Sequence, residues 1–195
     1  MQVNLRQIKG PWLDGWVLDK HSVSSTFLGN DEHGHAQFET LRTEVGEATY
    51  RLKYRQDWTQ VEPLANALAQ HVYSRLQDVG LIVSMPASKP RPRQPVPEIA
   101  TALGRIVRVP VFNNMLYKSG ATIALKDLHS KEEKLAALQD SMHINEVITN
   151  AGEWNALLID DLYDSGASLE AACAALNKYK KIKGIYVAAL TWNRS

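Results

Sequence analysis

Three aspartates fall within five residues near the C-terminus, in LLIDDLYDSGASL (residues 157–169). Asp160 and Asp161 follow an apolar run, Asp164 comes three residues later, and Ser165, Gly166, Ala167 and Ser168 complete the segment. A helix that begins near Gly166 presents unpaired backbone N–H groups and the positive end of its dipole to the preceding loop. Ser165 and Ser168 add hydroxyl donors there, and a glycine lets the backbone approach a ligand closely. That chemistry suits a phosphate. Asp160 and Asp161 would repel the same phosphate, so they must face something else: sugar hydroxyls, or a hydrated magnesium ion. A phosphate cradle beside hydroxyl acceptors describes a ribose 5-phosphate. The competing account, an acidic helix-capping turn, explains one aspartate but not two followed by Ser-Gly-x-Ser.

The elements that must carry this loop are legible in the apolar pattern. LIVSM (residues 81–85) reads as a buried strand that stops at Pro86, where the ladder loses a donor. The end of the chain reads as a strand over 156–159, a tight loop, a helix with Leu169, Ala172, Cys173 and Leu176 on one face, and a strand over 185–191. TEVGEATYRLKYR (residues 43–55) is expected to be helical, with Thr43 as cap and Val45, Ala48 and Leu52 on one stripe. A second helix is expected from Asp57 or Thr59 to about Gln77, since Leu64, Leu68, Val72 and Leu76 recur every fourth residue. A helix around 98–103, a short strand over 109–112, a long loop over 113–128 and a helix over 131–142 follow. Residues 10–42 read as a small β-rich N-terminal lobe.

Strands therefore alternate with helices from residue 81 onward. That predicts an α/β fold, a mostly parallel central sheet flanked by helices, in one domain of 1–195 with an N-terminal lobe (1–42) and an α/β core (43–195). In such sheets ligands bind beyond the carboxyl ends of the strands. The Pro86 loop and the Asp160 loop both lie at such ends.

Composition narrows the classes. The 195 residues are 45% hydrophobic and 22% charged, with a formal net charge of +1. One sizeable core fits this length, and the balance of charge gives no sign of a nucleic-acid partner. The single cysteine, Cys173, excludes an internal disulfide and a Cys-rich zinc site. It lies among the apolar positions of its helix and is expected to pack rather than react. MQVNLRQIKG is too polar for a secretory signal, and no run is long enough to span a bilayer, so a cytoplasmic location is expected. His21, His33 and His35 lack the further spaced ligands of a metal site and are expected at the surface. The basic residues at 178–183 suit a solvated helix end. Trp192 could stack on a base or cap the core, and Tyr163 could pack on the loop.

The segment resembles the signature of type I phosphoribosyltransferases: a strand ending in two acidic residues, an apolar and a variable residue, then Thr-Thr-Gly or Asp-Thr-Gly and a Ser/Thr. The longer pattern is similar to the ComF-type (competence protein F-like) members. It is carried by YRLKYRQD (50–57), the strand, Pro and basic loop of 82–93, and LKDLHSKEEKLAALQDSMHI (125–144). The basic loop here is shorter and richer in Pro than is common in that group.

The resemblance implies a phosphoribosyltransferase. The partners implied are phosphoribosyl pyrophosphate (PRPP) and an unidentified nitrogen acceptor, with pyrophosphate released. Mg²⁺ would be bound mainly through PRPP, with no direct protein ligand. By position, Asp160 and Asp161 would hold the ribose hydroxyls, and Asp164, Ser165, Gly166, Ala167 and Ser168 would cradle the 5-phosphate. Asp164 is the candidate acid/base residue. Lys89, Arg91, Arg93 and Lys118 are the candidates for pyrophosphate, although for each of them a solvated surface position stays open. Two further alternatives stay open: a homodimer, and a catalytically silent sensor of PRPP or nucleotide, or a competence or DNA-processing accessory, on the same fold.

Overall fold

The computed structural model describes residues 1–87, 91–119 and 141–193. Its centre is a six-stranded sheet in the order β1 (Arg6–Gln7), β2 (Asp14–Lys20), β10 (Ile182–Trp192), β9 (Trp154–Tyr163), β5 (Val79–Ser84) and β6 (Val111–Phe112). Every neighbouring pair is parallel except β1 with β2. The expected α/β architecture is present, and its cause is visible in the strands. Successive strand residues point to opposite faces, and a sheet covered on both faces needs apolar residues on both. Leu81, Val83, Ala156, Leu158, Val187 and Ala189 accordingly join one core with Leu169, Ala172, Cys173 and Leu176 of α4 (Ala167–Leu176). Ile82, Leu157, Ile159, Ala188 and Leu190 join the other. That second core is closed by α1 (Glu44–Arg55), α2 (Val61–His71) and α3 (Pro95–Val107).

Helix α1 starts as expected. Thr43 Oγ1 accepts from the Gly46 N–H at 2.9 Å, and the hydroxyl donates to the Lys20 carbonyl at 2.6 Å. The cap thus ties the helix to the end of β2. Gly46 is required by proximity, because a Cβ there would lie 2.0 Å from the His21 carbonyl oxygen. Gly46→Ala is expected to push α1 off the sheet edge and cost about 1–3 kcal/mol, measurable by urea unfolding.

Several expectations are corrected. The β-rich N-terminal region divides: β1 and β2 belong to the central sheet, and only β3 (Ser22–Asn30) and β4 (Ala36–Arg42) stand apart as an antiparallel hairpin. The hairpin leaves Val23, Phe27, Leu28, Phe38 and Leu41 exposed. The predicted second long helix is α2 flanked by two single 3₁₀ turns, Trp58–Gln60 and Tyr73–Arg75. His71, Val72 and Tyr73 are weak helix formers, and a tightened last turn is common where propensity fails.

Helix α3 is longer than 98–103 because Pro95 suits its first turn. Within the expected 113–128 loop, β7 (Leu116–Lys118) pairs antiparallel with β8 (Met142–Ile144). The expected helix over 131–142 lies outside the described residues except at its end, where Met142 opens β8. Helix α4 ends at Leu176, so the lysines at 178–183 occupy the turn into β10 and that strand's first residues, not a helix end. Among the described residues no helix is long and apolar enough to cross a membrane.

Candidate functional site

Strands β5 and β9 lie side by side, but their connections leave on opposite faces. After β5 the chain turns into α3 on one face, and after β9 into α4 on the other. This is a topological switch point, where open α/β sheets leave a crevice at the strands' carboxyl ends. A cleft of about 580 Å³ occupies it. Residues 85–87, Arg91 and residues 94–97 line one side, residues 160–169 the other, and Lys53, Tyr54 and Lys118 complete the wall. The two chain segments that the sequence placed at this edge, the Pro86 loop and the Asp160 loop, therefore share one cavity.

Strand β9 does not end at Ile159 as expected. It continues to Tyr163, because β10 runs alongside and pairs with it to the last residue: Ala189 with Asp160, Thr191 with Leu162, Trp192 with Tyr163. The Thr191 hydroxyl also donates to the Asp161 carbonyl at 3.0 Å. On the other side β5 stops opposite Ile159. Asp160 and Asp161 thus lie on a strand with one edge paired and the other open to the cleft. Since they are consecutive strand residues, they point to opposite faces.

Asp161 shares the face of Leu157 and Ile159, where α1 packs, and there it forms an ion pair with Lys53. Asp160 shares the face of Leu158, with Met115 and Leu116 of the β7 segment, and Lys118 of that segment also lines the cleft.

The electrostatics follow from this layout. Burial and the neighbouring Asp161 charge push the Asp160 carboxyl up to about 8, against the opposing pull of Lys53 and Lys118. For Lys53 burial works against the ammonium, but the charge and hydrogen bond of Asp161 outweigh it and hold the group above its ordinary value. Lys118 is shifted the other way: burial lowers it, and the two aspartates only partly compensate.

The loop after β9 combines a left-handed glycine with a helix start that has no side-chain cap. Gly166 adopts φ +85°, a left-handed conformation that favours glycine, and a Cβ there would meet the Tyr163 ring at 3.2 Å. Tyr163 therefore packs on the loop. Helix α4 has no side-chain cap at Gly166, while Ser165 Oγ accepts a long bond from the Ala167 N–H at 3.4 Å. The first N–H groups of a helix lack intrahelical acceptors, and Ala167, Ser168 and Leu169 open onto the cleft. Asp164 is exposed at its rim.

The basic candidates separate. Arg91 lines the cleft and donates to the Lys53 carbonyl at 2.8 Å. Lys118 lines it too, and is not a plain surface lysine. Arg93 is not among the lining residues. It bonds Glu98 at 2.8 Å and lies 4.1 Å from the Trp58 ring centroid, which directs its charge to α3's first turn. Lys89 lies outside the described residues.

Lys53 and Tyr54 are the site residues that motif spacing did not single out. They sit inside YRLKYRQD, a run already conspicuous for its basic and aromatic residues, on the last turn of α1.

The histidines separate as well. His33 and His35 are exposed on the β3–β4 hairpin. His21 is half-buried at the hinge between β2 and β3, with its Nδ1 buried and without a hydrogen-bond partner. Burial, then the nearby Arg42 and Lys53 charges, keep its imidazole below its ordinary pKa. Trp192 packs against the core, with the Arg6 guanidinium and Lys20 ammonium 4.3 and 5.0 Å from its ring centroid. Cys173 is fully buried, and burial raises its thiol to about 12, so it is no nucleophile.

No known family description matches the sequence, and no curated protein does. Solved structures resemble the fold. Adenine phosphoribosyl transferase from Trypanosoma brucei, in complex with AMP, pyrophosphate and ribose-5-phosphate, aligns over 97% of this chain and 74% of its own, at 13% identity and a TM-score of 0.51. UMP synthase of Leishmania donovani aligns over 80% of this chain at 14% identity and a TM-score of 0.39, and the match covers 25% of that protein. Adenine phosphoribosyltransferase from Thermoanaerobacter pseudethanolicus aligns over 87% of this chain and 95% of its own, at 12% identity and a TM-score of 0.41. With its mostly parallel sheet, its flanking helices and a cleft at the switch point between β5 and β9, the chain has a type I phosphoribosyltransferase-like fold.

Proposed function

We propose that the protein is a phosphoribosyltransferase that binds PRPP in the β5–β9 cleft and transfers its 5-phosphoribosyl group to a nitrogen acceptor, releasing pyrophosphate. One observation carries this reading. A single cleft holds an acidic pair flanked on one face of the sheet by an uncapped helix N-terminus and on the other by Lys53 and Arg91. A sugar with hydroxyls in its middle and an anionic group at each end matches that order. The Trypanosoma brucei structure, which shares this fold, is a complex with AMP, pyrophosphate and ribose-5-phosphate.

In this proposal the loop of Asp164, Ser165, Gly166, Ala167 and Ser168 receives the 5-phosphate through backbone N–H groups and hydroxyls. Asp160 and Asp161 accept from the ribose hydroxyls, with Lys53 holding Asp161 in place. As the bond at C1 breaks, positive charge grows on the sugar and negative charge on the departing pyrophosphate. The Asp161 carboxylate, paired with Lys53, stabilises the first, and Arg91 and Lys118 stabilise the second. In the same proposal Asp164, exposed at the rim, takes the proton that the acceptor nitrogen loses.

Among the described residues no group of three or more His, Cys, Asp or Glu side chains could hold a metal. Mg²⁺ would be held mainly through the oxygens of the bound substrate, as this cation commonly is at phosphate sites. Bound there, it supplies charge neutralisation of the pyrophosphate. The ComF-type likeness of residues 44–195 belongs to the same proposal, and its run YRLKYRQD is the one that brings Lys53 and Tyr54 to the cleft.

Calorimetry with PRPP and Mg²⁺, followed by pyrophosphate release against a panel of nitrogenous bases and amines, tests it. The expected result is PRPP binding and release with at least one acceptor. Binding without release from any acceptor would move the reading to a PRPP sensor. No binding of PRPP or nucleotide would remove both.

A further inference from the structure

Lys53 is the point where three parts of the site meet. Its ammonium pairs with Asp161 on β9, its carbonyl accepts from Arg91 in the loop after β5, and its side chain lines the cleft beside Tyr54. Its side chain is 30% exposed, so the ammonium is neither sealed in the core nor free in solvent. A lysine has three donor positions, and the Asp161 ion pair leaves capacity on the cleft side. Lys53 and Arg91 also stand on the face of the sheet away from α4. The 5-phosphate seat lies at α4's N-terminus, so these two cations are suited to a different anionic group of the same ligand.

We propose that Lys53 is the specificity residue by which the cleft distinguishes a ribose 5-phosphate that carries a second anionic group at C1 from ribose 5-phosphate alone. The inference rests on the PRPP reading of the site. In the free protein Asp161 holds the ammonium. When the diphosphate group enters, the ammonium is shared between Asp161 and the new anion, and Arg91 keeps the end of α1 and the β5 loop together while it does so. A lysine that merely propped Asp161 in position would serve both ligands equally.

The experiment compares the affinities of PRPP and ribose 5-phosphate, each with Mg²⁺, for the wild type, Lys53→Arg, Lys53→Gln and Lys53→Met, with thermal unfolding of each variant recorded. Lys53→Gln is the informative case, because it retains a donor for Asp161 but no charge. A charge-assisted hydrogen bond in such a site accounts for about 10- to 100-fold in affinity. PRPP binding is therefore expected to fall by about 10- to 100-fold in Lys53→Gln and Lys53→Met. Ribose 5-phosphate should change by less than about 3-fold, a loss typical of a solvent-screened pair. Lys53→Arg should keep most of the preference. Equal losses for the two ligands in Lys53→Gln would overturn the proposal and leave Lys53 a prop for Asp161. A wild type that binds ribose 5-phosphate no less tightly than PRPP would overturn it as well. A wild type that binds neither would instead remove the PRPP reading, and this inference with it.

Discussion

Replacing Asp160 and Asp161 together by Asn is expected to weaken PRPP binding by at least about 100-fold while the fold is retained. A hydrogen bond to a charged group contributes about 1.5–3 kcal/mol, and the double variant removes the Asp161 charge and turns both carboxyl groups into weaker amide acceptors. The fold should survive because β9 is held by its ladder to β10 through Tyr163 and by the buried run 156–159, not by the two side chains. The variant does strand Lys53, which loses its ion partner but keeps access to the cleft. Calorimetry reads the binding loss, and far-UV circular dichroism with thermal unfolding reads the fold. Wild-type affinity in the double variant would show that the pair does not hold the sugar.

The second large effect is on stability against pH. Asp160 has an ordinary value of 3.8 and is raised to about 8 in the folded protein. A carboxyl whose folded pKa is raised binds more protons folded than unfolded between those two values. Stability from this group is therefore complete below about pH 4 and falls as pH rises toward about 8.

His21 acts in the opposite sense. Its pKa is lowered, so its contribution is present above its ordinary value of 6.5 and is lost as pH falls. Between about pH 6.5 and 8 the Asp160 slope should dominate. Asp160→Asn removes the penalty and should flatten the slope, gaining about 1–3 kcal/mol at pH 8 after allowance for the solvent-filled cleft. Urea unfolding of both proteins from pH 5 to 9 measures this. Parallel curves for wild type and variant would show that Asp160 carries no such penalty. A site that destabilises its own fold in this way is a common consequence of gathering like charges for binding.

These two expectations differ in how far they were visible beforehand. The first was legible in the residue order alone. Two acids at the end of an apolar run, followed by Ser-Gly-x-Ser, specify a local arrangement of strand, loop and helix start, and local arrangements are encoded by neighbouring residues. The buried runs 81–85, 156–159 and 185–191 likewise identified a parallel sheet, because only strands covered on both faces read as continuous apolar segments. Composition and spacing were therefore enough for the fold class and for the edge of the sheet on which the Asp160 loop lies.

The rest depended on contacts between distant segments. That Asp160 and Asp161 diverge follows from β9 continuing past Ile159, which required β10 to supply partners as far as Trp192. Lys53 reaches Asp161 across more than one hundred positions only because α1 packs on that face of the sheet. Arg93 belongs to the same basic run as Arg91, yet Glu98 and Trp58 turn it away. Residues 14–20 read like lobe strands but add to the main sheet, since β10 presents a free edge there. Periodicity along a chain tells which side of an element is buried. Which element covers that side, and so which cation each aspartate meets, was decided only when the helices and strands packed.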